Sequence, residues 1–140
     1  MRRLAALVAA LAIPAVALAA TVEPGLYTGK RHGVSMRLRV TESLHVDYRL
    51  RFHWSCNRKP RRSNAETKPL TLPKLHSDGR FRHVEHGKAK NSRGSFRYRE
   101  RIRGRVAADS AKGRYTAVLH YTNGRVCKAH NIAWSAKRRD

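Results

Sequence analysis

Acidic side chains are scarce in this sequence. Nine Asp and Glu stand against 31 Lys and Arg, which gives a formal net charge of +22. So much like charge on a small chain is self-repelling and favours anionic partners. There are two cysteines in all, Cys56 and Cys127. Their spacing gives neither a C-x-x-C redox motif nor a four-ligand zinc pattern. No G-x-S-x-G elbow occurs, no glycine-rich phosphate loop leads into a helix, and the H-E-x-x-H zinc helix is missing. The apolar residues beyond the leader do not fall in a helical pattern, so no amphipathic helix is expected. Beyond residue 20 there is no long hydrophobic run, so no transmembrane segment is expected in the mature chain.

The one apolar run lies at the start. Arg2 and Arg3 precede the stretch from Leu4 to Leu18, and Ala17-Leu18-Ala19 has the small-x-small form of a cleavage site. Residues 1–19 therefore read as a secretory signal peptide. The remainder, residues 20–140, is the length of one domain with one core. Export places the protein in an oxidising compartment, secreted or within the cell envelope. There an isolated cysteine pair forms a disulfide, so a Cys56–Cys127 bond is expected.

What is abundant is alternation with a period of two, the period of a β-strand. Val34, Met36, Leu38 and Val40 alternate with Arg37 and Arg39. Val46, Tyr48, Leu50, Phe52, Trp54 and Cys56 alternate with Asp47, Arg49 and Arg51. From Arg97 to Arg105 every second residue is arginine: Arg97, Arg99, Arg101, Arg103 and Arg105. Shorter strand signals are Gly25–Gly29, Leu70–Leu75, Arg80–Val84, Tyr115–Tyr121 and Val126–Ala136. Asn57 to Pro69, with two prolines and five cations, reads as a mobile basic loop. The expected fold is all-β, a single antiparallel β-sandwich or small barrel of about seven or eight strands. Phe96, Tyr98, Ile102, Val106, Ile132 and Trp134 join the Val46–Trp54 parity as its interior.

Several of these residues also fall into a recognisable order. It runs Gly25-x-Tyr27-x-Gly29, a cysteine after the third strand, Asp78-Gly79-x-Phe81, Gly104 before Val106, Gly113 before a strand, then Cys127, Trp134 and a basic tail. This order is similar to that of small exported all-β proteins common in actinobacteria and related soil bacteria, and it covers most of residues 20–140. The matching residues are turn glycines, core aromatics and the cysteine pair, so the resemblance implies a fold and no activity. The arginine comb is not part of it.

The chemistry the chain offers is therefore mainly cationic. Arg37, Arg39, Arg49, Arg51, Arg97, Arg99, Arg101, Arg103 and Arg105 stand on strands whose other parity is apolar. Same-side positions on a strand repeat every ~6.5–7 Å, close to the phosphate spacing of an extended nucleic-acid strand. The guanidinium fork grips phosphate, sulfate and carboxylate in pairs of hydrogen bonds. The expected role is a non-enzymatic binding module for an anionic polymer or surface: nucleic acid, phosphopolymer or lipopolysaccharide. The alternative is a structural or interaction domain of the envelope whose charge is compositional. No catalytic residue, metal, cofactor or small-molecule substrate is expected. Two features sit apart: His83 and Glu85 share a strand face that His86 does not, and Glu100 alone among the comb's neighbours is an acid whose parity points inward.

Overall fold

The computed structural model describes residues 22–139; the expected leader, residues 1–19, lies outside the described residues. These residues form eight strands and no helix: β1 (Gly25–Arg31), β2 (Val34–Val40), β3 (Val46–Cys56), β4 (Arg62–Thr67), β5 (Arg80–Asn91), β6 (Gly94–Val106), β7 (Ser110–Tyr121) and β8 (Val126–Arg139). All pairings are antiparallel, in one sheet of order β4-β3-β2-β1-β8-β7-β6-β5. The all-β expectation holds, and the strand count reaches eight. Among the described residues no helix is long and apolar enough to cross a membrane.

The sheet folds over so that its inner parities meet. Tyr27, Met36, Leu38, Val40, Val46, Leu50, Phe52, Ile102, Val106, Tyr115 and Trp134 form one buried cluster. Phe52 of β3 lies 4.9 Å, ring to ring, from Tyr115 of β7, which ties the two halves of the sheet together. Leu50 and Phe52 are buried while Arg49 and Arg51 are exposed, so the register read from alternation is correct. Phe96, Tyr98, Trp54 and Ile132 face the same way but are only half-buried.

Two seams close the sheet. At the first, β3 meets β8 through Ser55↔Lys128 and Cys56↔Cys127. The cysteines are direct cross-strand partners with Cα atoms 4.1 Å apart, and they are bonded. The hydrogen-bonded path β3–β2–β1–β8 thereby returns to β3. At the second seam β4 and the chain after it meet the inner sides of β5 and β6. Glu100 accepts a hydrogen bond from the Thr67 hydroxyl at 2.9 Å, and Glu85 accepts one from the Leu70 N–H at 2.7 Å.

Asn57–Pro69 is not a mobile loop throughout. Residues 62–67 form strand β4, paired with β3 from Leu50↔Thr67 to Ser55↔Arg62. The residues before it are held by Arg125, a buried arginine whose guanidinium donates to the carbonyls of Arg58, Lys59 and Pro60 at 2.9–3.1 Å. A polar sequence concealed this strand because it lies at the sheet edge. Conversely Leu70–Leu75 is no strand: only the bridge His45↔Lys74 forms, and Leu70 is exposed. The β5–β6 hairpin runs on to Asn91↔Gly94, well beyond the Arg80–Val84 signal. There it projects beyond the core, and without apolar partners the period-two signal fades.

The disulfide locks a seam made of only two residue pairs, and it closes a loop of 71 residues. Loops of that length give chain-entropy stabilisation of about 4–4.5 kcal/mol. Cys56→Ala should therefore lower the unfolding free energy by about 2–5 kcal/mol, measured by urea titration. A change below 0.5 kcal/mol, on the order of a neutral surface substitution, would show that the seam is held by packing alone.

Candidate polyanion-binding face

Each arginine of the comb is exposed, as are its cross-strand neighbours except Thr116 and Val118, which are half-buried. The register lays out what stands beside each arginine. Arg97 pairs with Lys88 and His120, Arg99 with His86 and Val118, and Arg101 with Val84 and Thr116. Arg103 pairs with Arg82 and Arg114, and Arg105 with Arg80 and Lys112. No Asp or Glu occupies an outward position on β5, β6 or β7. The outer face of these three strands is thus one cationic field, and the flanking cations on β5 and β7 were not singled out from the sequence. Their alternation is shorter and broken by valine and threonine, so only strand pairing reveals them.

The other four arginines belong to the opposite half of the sheet. Arg37 stands directly across from Arg49, Arg39 across from Asp47 and Arg51 across from Glu66. Glu66 bridges two of them, 2.6 Å from Arg51 Nε and 3.4 Å from Arg49 Nε, and these contacts hold its carboxyl below the usual range. Between this patch and the comb lie β1, β8 and β7. Of the nine arginines, the structure brings five into one field and leaves four in a separate patch that carries its own acids.

The inner side of the same hairpin has the reverse character. Glu85 and Glu100 are direct cross-strand partners facing the interior. The Tyr115 hydroxyl donates to Glu100 at 2.6 Å. His83 Nε2 and Glu85 Oε1 are 2.5 Å apart, so His83 and Glu85 do share a face, while His86 is exposed on the other. Burial pushes the Glu100 carboxyl above its ordinary range; hydrogen bonds from Tyr115 and Thr67 oppose this, and the charge of Glu85 adds to it. Burial acts on Glu85 in the same direction, but contacts with His83, the Leu70 N–H and Glu100 outweigh it, and its pKa is lowered. Of the pair, Glu100 is the one that keeps its proton to higher pH, and Glu85 the one that ionises first. Burial and the nearby carboxylates also push the Tyr48 and Tyr115 hydroxyls well above their usual range, so both remain neutral, Tyr115 as the donor to Glu100. Among the described residues no cluster of three or more His, Cys, Asp or Glu has the arrangement of a metal site.

Comparison with known protein families, with curated proteins and with solved structures finds no match.

The carboxyl pair gives opposite pH signatures. Glu100, with a raised folded pKa, contributes stability below its unfolded value near 4.3, and this is lost as pH rises through its folded value. Glu85, with a lowered one, contributes above its unfolded value and loses that as pH falls. Glu100→Gln removes the first signature and keeps acceptors for Tyr115 and Thr67. The variant should gain stability relative to the parent between pH 4 and pH 8, read from urea midpoints. An equal difference at both pH values would mean Glu100 titrates normally.

Proposed function

We propose that this protein is an exported, non-catalytic binding module for anionic polymers or surfaces, and that it engages them through the outer face of β5–β6–β7. The observation that carries the reading is the cationic field around the comb, with no acid on the outward positions of those strands. Charge that is merely compositional meets acids, as it does around Glu66; the comb does not. The aromatic residues of these strands, Phe81, Phe96, Tyr98, Tyr115 and Tyr121, face inward. The face therefore lacks the stacking platforms by which single strands are read base by base, and binding is driven by charge with little sequence preference. A secreted or envelope location is part of the proposal, supported by the leader-like N-terminal sequence and the disulfide.

Mixed-sequence single-stranded DNA and heparin are suitable probes. Binding should weaken steeply between about 50 and 300 mM salt, because each neutralised phosphate releases condensed counterions. Replacing Arg99, Arg101 and Arg103 together by Gln should lower the DNA salt slope by about two, at ~0.7 per phosphate contact. The control triple, Arg37, Arg49 and Arg51 to Gln, should leave it nearly unchanged. No binding at 50 mM salt, or equal losses from both triples, would leave the structural reading, with the charge as composition.

A further inference from the structure

The cationic field is not uniform, and at one end it becomes a bounded site. Around Arg99 and Arg101 the flanking positions are Val84, His86, Thr116 and Val118. At the other end three cations stand abreast in two successive rows: Arg80, Arg105 and Lys112 in one, Arg82, Arg103 and Arg114 in the next. Neighbours within a row are set by the interstrand spacing, ~4.8 Å, and the rows by the strand repeat, ~6.5–7 Å. Between the rows runs the inward-facing series Phe81, Gly104, Gly113 and Trp134.

Those two glycines let the Trp134 ring press against the strands from inside. A Cβ on Gly104 would lie 2.5 Å from Trp134 Cζ2, and one on Gly113 would collide with the same atom. The floor under the six cations is thus braced by a buried indole. Arg31 and His32 from one turn and His76 and Asp78 from another join the six cations in lining a trough of about 1400 Å3. Its one acid, Asp78, is engaged by Arg80, accepting the backbone N–H at 3.0 Å and facing Nε at 3.4 Å. None of the other five cations of the two rows has an acidic partner within 4 Å among the described residues. Like charges placed directly across a strand pair destabilise the sheet. Here four such pairs stand in two rows, and among the described residues Asp78 beside Arg80 is the one acid that offsets them.

We propose that this trough is a specific subsite for an oligophosphate, a run of phosphate groups joined directly through anhydride oxygens. The proposal rests on the polyanion reading and narrows it to one ligand chemistry. A nucleic-acid backbone offers one phosphate per sugar, a spacing that suits the comb read lengthwise. Condensed phosphates crowd several charges into a shorter length. Lying between the rows, they meet guanidinium groups on both sides at once. The anion offsets the repulsion on three strands together, so binding and folding are coupled.

The test compares tripolyphosphate with a short single-stranded oligodeoxynucleotide of matched charge, by calorimetry at 150 mM salt. Tripolyphosphate should bind at least tenfold more tightly and raise the melting temperature. Arg82→Gln with Arg114→Gln should abolish that preference, whereas Arg97→Gln with Arg99→Gln should preserve it. The first double variant should also melt no lower than the parent without ligand, since it relieves like-charge contacts; this separates lost binding from lost folding. A nucleoside triphosphate provides the second arm: equal or weaker binding than tripolyphosphate assigns the free chain, tighter binding an anhydride-bearing end of a larger molecule. Equal affinity for tripolyphosphate and oligodeoxynucleotide, or equal losses from both double variants, overturns the subsite. If long single-stranded DNA still binds in that case, the broader polyanion reading stands; if nothing binds at 50 mM salt, both fall.

Discussion

Burial of one face of each strand is what permits the other face to carry so much like charge. Strand geometry sends alternate side chains to opposite sides, so every arginine of the comb stands between neighbours that face inward, several of them deep in the core. Ile102 is buried between Arg101 and Arg103, and Val106 directly after Arg105. Hydrophobic burial is non-directional and scales with area, and it acts here against a repulsion that salt screens over about 8 Å at physiological strength. The fold is thus the outcome of a separation: apolar residues and two glutamates inside, cations outside, with Arg125 the buried exception.

The interior glutamates are the exception that clarifies the rule. Buried carboxyls are costly unless hydrogen-bonded, yet this protein places two of its few acids across from each other on β5 and β6. Their acceptor oxygens take up Thr67, Leu70, Tyr115 and His83. They also fasten the chain after β4 onto β5 and β6, regions far apart in the sheet order. The acids that might have neutralised the comb are used to close the molecule, which leaves the comb's charge available to solvent.

Much of this was legible in the sequence where strands are amphipathic. Val34–Val40 and Val46–Cys56 alternate cleanly and became β2 and β3 with those bounds. The inward parity of Glu100 and the shared face of His83 and Glu85 follow from the same counting. Legibility ended where a strand has no apolar face to declare. Strand β4 is an edge built of Arg62, Ser63, Asn64, Ala65, Glu66 and Thr67, and its partner β3 specifies it. Cross-strand neighbours are equally invisible: nothing in the linear order places Arg82 and Arg114 beside Arg103, because register is settled by the turns and by the core.

The two seams differ in kind. One is covalent, and it binds the circuit of β3, β2, β1 and β8 into a ring that cannot part without breaking a bond. The other is a handful of hydrogen bonds to carboxyls. Partial opening of a native protein follows its least costly route, and here that route lies along the β4 edge and the chain leading to β5. Backbone amides near Thr67 and Leu70 therefore belong to the fast-exchanging part of the molecule, and those flanking Cys56 and Cys127 to the slow part. The cationic strands hang between these two regimes, anchored at β8 on one side and free to breathe at β5 on the other.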